Sequence, residues 1–268
     1  MEIKFIKSML KKRLIPKLMF KVKEINKKKF PVIVTTKKFN NTKFVGDPIS
    51  QAKIFESQLT DELFLINMDS LDLEKNEFLL DYYKEFSNKI FMPLTIGGGV
   101  KNIDSFKKLL KNGADKVCIN TAAIENPNLV LQASKIFGSQ CVVVSIDFKK
   151  IDSNYFVFYK NGKVNSKKLL FEWVDEIEAL GAGEIVLTDI DKDGISEGLN
   201  IEVAEQISNS SKLPIIMSGG CGVAQHFVDA FKNTKIEGIA AGNFFSFRDQ
   251  NIHQARSQIL NNGIELRK

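Results

Sequence analysis

The chemistry legible in this chain is carried by a few carboxylates and two glycine clusters. Asp147 ends the apolar run VVVSID. A carboxylate at the end of a buried strand opens into the cleft that the strand faces, and can act there as a general acid or base. Asp189, Asp191 and Asp193 follow a second apolar run in TDIDKDG. Asp193-Gly194 suits a turn that hydrogen-bonds a hydroxyl, and the cluster equally suits loop solvation and helix capping. Gly97-Gly98-Gly99 is followed one unit later by Asn120-Thr121, and Gly219-Gly220 by Ala241-Gly242. Glycines there let backbone N–H groups approach an anion, and the next helix N-terminus adds a favourable dipole. Gly98, Gly99, Asn120 and Thr121 thus form one candidate phosphate site. Gly219, Gly220, Ala241 and Gly242 form a second, and Asp193 and Gly194 are separate candidates for substrate binding. Two such sites across one mouth would hold a small molecule phosphorylated at both ends. Tight turns alone are the competing reading.

Other chemistries find little support. Cys118, Cys141 and Cys221 lie in or beside apolar strands, outside any CxxC, and read as reduced core thiols. The only histidines are His226 and His253, both in helical patterns, so neither a metal site nor another cofactor is expected. The net charge is +6, but no RNP, zinc or helix-turn-helix pattern accompanies it. The lysines read as a solvated surface whose field attracts anionic substrates, without nucleic acid as partner. No apolar run approaches the ~18 residues of a membrane span, and MEIKFIKSMLKKRLIP lacks a signal-peptide core. A cytoplasmic protein without membrane contact is expected.

The elements that must position these residues alternate along the chain. Strand patterns occupy 13–19, 62–67, 91–96, 115–120, 141–147, 184–189, 213–217 and 236–241. Helical patterns lie near 48–59, 76–88, 102–112, 127–137, 167–180, 200–210, 223–232 and 251–260. Continuous apolar strands between helices mean a parallel sheet covered by helices. Eight units in 268 residues favour a single (β/α)₈ TIM barrel domain spanning 1–268, since such barrels run to ~250 residues. Two insertions follow strand ends on the C-terminal face. Residues 20–46 are Lys-rich with a β-like run, and 149–166 read as a hairpin turning at Asn161-Gly162. Residues 96–121 also lie over 217–242 without a gap, at a constant offset of 121. The barrel is therefore expected to be two half-barrels.

The blocks MLKKRLIPKL, GDP at 46–48, GGGVKN, GADKVCINTAA, FGSQCVVVSID, GAGEIVLTDIDKDG and MSGGCG resemble the cyclase (HisF-type) subunit of imidazole glycerol phosphate synthase, from about residue 9 to about 247. The resemblance implies a barrel that docks a HisH-type glutaminase on its N-terminal face as a heterodimer. It also implies ammonia passing along the barrel axis to the C-terminal face. Four gate charges are implied at Arg13, Glu62, Lys116 and Glu184, and a partner contact at Asp115. Of the two catalytic carboxylates, only Asp147 matches. Met19 stands at the other position, Thr35 at an expected loop lysine and Asn67 at an expected aspartate. A thioether transfers no proton, and loss of a general acid or base typically costs ~10²–10⁴-fold.

Strict alternation from Arg13 also turns Lys17 inward. There it either reaches Asp147 or marks a register shift at Pro16. The blocks are most similar to paralogues that accompany sugar amidation in surface-polysaccharide biosynthesis. The expected function is thus an ammonia-channelling synthase subunit of a glutamine amidotransferase. The alternatives are the histidine-pathway cyclase, a lyase, and a non-catalytic scaffold that activates a glutaminase.

Overall fold

In the computed structural model, which describes residues 11–69, 73, 76–246 and 251–267, the chain opens with three strands, β1 (Arg13–Ile25), β2 (Lys28–Lys37) and β3 (Asn40–Gly46). Then come α1 (Pro48–Ser57), β4 (Leu63–Asn67), α2 (Glu77–Ser87), β5 (Leu94–Gly97), α3 (Ile103–Lys111) and β6 (Lys116–Ile119). Two short helices, α4 (Thr121–Glu125) and α5 (Asn128–Phe137), lead to β7 (Val142–Ile151), β8 (Asn154–Tyr159) and β9 (Val164–Leu169). The rest is α6 (Leu170–Ala179), β10 (Glu184–Asp189), α7 (Ile201–Ser210), β11 (Ile215–Ser218), α8 (Ala224–Asn233), β12 (Gly238–Ala241), α9 (Asn243–Ser246) and α10 (Ile252–Asn261). Residues 1–10, which the sequence reading includes in the single domain, lie outside the described residues.

Strands β1, β4, β5, β6, β7, β10, β11 and β12 pair in parallel in that order, and β12 returns to β1. The fold is a closed (β/α)₈ barrel. Period-two alternation divides its strands between two cores. Leu14, Leu18 and Phe20 face outward into the large core shared with the helices. Ile15, Phe64, Cys118, Val143, Val186, Ile216 and Ala240 face inward and fill the lumen. Each fully buried Leu, Ile or Phe contributes roughly 1.5–3 kcal/mol, so register is fixed on both faces at once. Lys17 pairs with Phe64 in the unbroken register that begins at Arg13–Gly238. No register shift occurs at Pro16, and Lys17 is an inward residue.

Helix starts follow local chemistry. Asp47 accepts from Ser50 N–H at 2.7 Å ahead of Pro48, and Asn102 forms a reciprocal cap with Ser105. Several strands start later than expected. Pro93 and Pro214 lack the N–H that a ladder needs, so β5 and β11 begin just after them.

The first insertion has the expected bounds and forms more sheet than its one β-like run implied. Strand β1 continues past the barrel to Ile25 and turns back as β2, which carries β3 on its far side. Residues 149–166 are not one hairpin. Strand β7 itself runs to Ile151, reverses at 152–153 and pairs with β8, which pairs with β9. The Asn161-Gly162 turn falls where expected, with φ of 58° and 72°. The helix expected from 167 starts at Leu170 because β9 continues to Leu169.

Candidate active site

At the N-terminal end of the barrel four charged side chains close a ring. Arg13 Nη1 donates to Glu62 Oε2 at 2.9 Å, and Arg13 Nη2 pairs with Glu184 Oε1. Lys116 Nζ reaches Glu62 Oε1 at 3.0 Å and Glu184 Oε2 at 3.1 Å. Each carboxylate is held by both cations. Burial alone would raise Glu62; Lys116 and Arg13 overcome that and hold it below its ordinary range. Burial likewise works against the Arg13 charge, and Glu184 and Glu62 more than offset it, so its pKa ends raised. Thr95 Oγ1 adds a hydrogen bond to Glu62 at 2.8 Å. Thr95 was not singled out from sequence, although the period-two rule places it in this layer on β5. Asp115 beside the ring accepts from Leu94 N–H at 2.8 Å and so pins the start of β5.

The opposite end opens into a mouth. Asp147 is buried at the end of the barrel portion of β7 and accepts from Asn120 Nδ2 at 2.8 Å. Burial pushes its carboxyl up to about 6, with Lys17 and Asn120 opposing that and Asp193 adding to it. Lys17 and Met19 line the mouth on both sides of the barrel axis. Among the described residues Lys17 has no ion-pair partner, and its charge acts through space on Asp147 and Asp193. The direct contact with Asp147 that the sequence allowed for Lys17 is absent among the described residues.

The glycine clusters form two recesses at this mouth. Gly98, Gly99, Asn120 and Thr121 line the first, a cavity of about 710 Å³ shared with Asn67, Asp147 and Lys101. Gly219, Gly220, Ala241, Gly242, Asp193 and Gly194 line the second. Gly98 has φ +96°, and a Cβ there would meet Asn67 O at 2.1 Å, so the backbone approach requires glycine. Asn67 Nδ2, Asn120 Oδ1 and Thr188 Oγ1 are buried without a partner among the described residues. Of the three residues, Asn67 and Asn120 line the first recess together with Asp147, and a buried polar atom is ordinarily hydrogen-bonded.

Asp193 is already engaged by the chain itself. Its Oδ2 accepts from Thr36 Oγ1 at 2.6 Å and Phe39 N–H at 3.4 Å. The hydroxyl it was expected to hold is thus supplied by the β2–β3 hairpin. Asn243 Nδ2 donates to Thr36 O at 3.0 Å and holds the same hairpin from the other side. The β8–β9 turn closes the opposite side, with Lys160 N–H on Thr121 Oγ1 at 3.1 Å and Asn161 Nδ2 on Met68 O at 3.3 Å. Sequence reading missed Thr36, Asn243 and Lys160, whose roles depend on loops meeting across the mouth. Asp189 accepts from Asn200 Nδ2 at 2.8 Å and Asp191 N–H at 3.0 Å, a loop and capping role. Among the described residues no group of three or more His, Cys, Asp or Glu is placed to hold a metal ion. No helix among them is long and apolar enough to cross a membrane.

Comparison with known proteins follows this geometry. Residues 24–251 match the profile of the histidine biosynthesis protein family. The chain is 43% identical over 260 residues to a Prochlorococcus marinus (strain MIT 9313) protein provisionally named imidazole glycerol phosphate synthase subunit hisF2, covering 97% of this chain and 99% of that one. It is 39% identical to the imidazole glycerol phosphate synthase subunit HisF of Hydrogenobaculum sp. (strain Y04AAS1), covering 97% and 100%. It is 37% identical to the subunit HisF of Methanocaldococcus jannaschii, covering 97% and 99%.

Proposed function

Since this chain belongs to the histidine biosynthesis protein family, among its HisF-type subunits, we propose that it is the synthase-type subunit of a glutamine amidotransferase. It pairs as a heterodimer with a glutaminase on the N-terminal face and passes ammonia along the barrel to the mouth, for amidation of a sugar in surface-polysaccharide biosynthesis. One contrast carries this reading. The ring of Arg13, Glu62, Lys116 and Glu184 is complete, while the mouth keeps Asp147 and has Met19 at the second carboxylate's place.

A ring of four mutually neutralised buried charges is costly to desolvate. Such an arrangement suits a gate better than a core. Ammonia entering past it crosses a lumen lined by Ile15, Phe64, Val143, Val186 and Ile216, which disfavours the charged ammonium form. At the mouth Lys17 adds a positive charge and Asp147 a carboxyl poised near neutrality. These can orient an acceptor and exchange one proton, but they lack the paired acid and base that ring closure demands. Asp115 is part of the partner-facing rim.

The cyclase reading has one observation in its favour. Both glycine recesses persist, and the first holds the unpartnered Asn67 Nδ2 and Asn120 Oδ1 with Asp147, as a phosphorylated ligand would need. Co-purification with the glutaminase separates these readings. Glutamine hydrolysis should rise on adding this chain, and the chain should not rescue a histidine auxotroph that lacks its cyclase. Rescue would establish the cyclase instead. No change in hydrolysis would remove the amidotransferase reading. Hydrolysis that rises without ammonia emerging at the mouth would leave a glutaminase-activating scaffold.

A further inference from the structure

The positive charge of this protein sits almost entirely in one small sheet. Residues 20–46 contain eight lysines and one glutamate, a net +7, whereas the whole chain carries +6. The rest of the molecule is therefore close to neutral. Like charges at this density repel and destabilise the sheet unless something acidic covers it.

Register shows which residues share a face. Strands β1 and β2 pair Lys21 with Val32, Lys23 with Phe30 and Ile25 with Lys28, and β2 pairs Val34 with Phe44 of β3. Cross-strand partners project to the same side. Met19 belongs to this set and lines the mouth, so the face looks toward the barrel axis. Lys23 Nζ lies 3.3 Å from the centroid of the Phe44 ring. Ile25, Phe30 and Phe44 are 57%, 45% and 47% exposed, although alternate residues on the other face, Phe20 and Ile33, are buried in the core. Among the described residues strand β3 pairs only with β2, and no strand among them covers its outer edge.

We propose that this face docks an acidic protein surface, that of the enzyme consuming the ammonia released at the mouth, with the β3 edge open to main-chain pairing. The proposal rests on the amidotransferase reading above. Lysines would supply long-range attraction, and Phe30 and Phe44 the apolar anchors. An inward-looking face beside the exit is shaped for a partner that covers the mouth. A flat bilayer would meet the tip of the sheet rather than this face. An unpaired edge strand is likewise a protein-recognition feature.

The test uses the complex of this chain with a HisH-type glutaminase and a sugar-amidating enzyme that consumes ammonia. Turnover is measured from glutamine with a bulk ammonia scavenger present, and from added ammonium chloride. Lys21→Glu/Lys23→Glu/Lys28→Glu and Phe30→Ser/Phe44→Ser should each lower scavenger-resistant, glutamine-dependent turnover at least ~10-fold. Turnover from ammonium chloride and activation of the glutaminase should stay unchanged. Wild-type coupling should also weaken as salt rises. Wild-type-like turnover in both variants overturns the proposal. So does binding of phosphatidylglycerol vesicles or poly(U) RNA that both variants lose while coupling persists. If the wild-type chain fails to activate the glutaminase, the amidotransferase reading itself falls.

Discussion

Met19 and Asp147 are mates under the internal twofold of the barrel. Met19 lies in parallel register with Ile66, and Asp147 with Thr188, the equivalent residue of the other half. The residues that follow, Phe20 and Phe148, each accept a backbone hydrogen bond from the residue just past the neighbouring strand, Met68 at 2.9 Å and Ile190 at 3.0 Å. Both strands then run out of the barrel into antiparallel sheets. The two halves share a backbone and differ in chemistry: one ends in a thioether, the other in a carboxyl.

That carboxyl makes stability depend on pH. Burial lifts Asp147 from 3.8 to about 6. Between those values the folded chain binds more protons than the unfolded one, so stability falls as pH rises. Asp147→Asn should therefore raise stability at pH 7.5 by on the order of 2 kcal/mol. The gain should disappear below about pH 4. Urea unfolding at the two pH values checks this, and an equal gain at both would contradict it.

Lys17 opposes the effect of burial on Asp147. Lys17→Met should move the Asp147 carboxyl above about 6. Carboxyl carbon NMR titration reads the shift directly. An unmoved titration would mean that the ammonium does not act on this group.

The ring should respond by charge balance rather than by residue count. Arg13→Met leaves Glu62 and Glu184 facing Lys116 alone, and should cost roughly 3–5 kcal/mol. Adding Glu184→Gln restores one cation to one anion, and part of the loss should return. The lowered Glu62 group contributes stability that is present above its ordinary 4.5 and lost as pH falls through its folded value. Chemical denaturation of the single and double variants at pH 7 and pH 4 tests both statements. A double variant less stable than Arg13→Met would refute the balance.

A hydroxyl helps tie the β2–β3 hairpin to the barrel mouth. Thr36 Oγ1 donates to Asp193 Oδ2 at 2.6 Å. Thr36→Val removes it and should weaken local closure by roughly 1–3 kcal/mol, because the carboxylate loses a buried partner. Lys37 and Lys38 then become the first sites of trypsin cleavage, at least several-fold faster than in the wild type, with the global unfolding midpoint little changed. An unchanged cleavage rate would show that the bonds from Lys38 N–H, Phe39 N–H and Asn243 hold the hairpin without the hydroxyl.

The sequence by itself determined the barrel, its half-repeat and the ends at which chemistry collects. Those features are written in short-range periodicity: two along strands, about 3.6 along helices, and a repeat of both. Alternation from Arg13 also placed Lys17 and Met19 inward, because a slip of one residue would turn Leu14, Leu18 and Phe20 from the helix-facing core into the lumen. Tertiary structure alone decided which charges pair. Arg13 meets Glu184 across 171 positions of chain, and no local pattern encodes a contact that depends on barrel closure. The same holds for Asp193, occupied by Thr36 of a distant hairpin, and for Asp115, turned onto Leu94 N–H. Hydrogen bonds act over about 3 Å, so their partners are set only once the strands have closed and the loops have met.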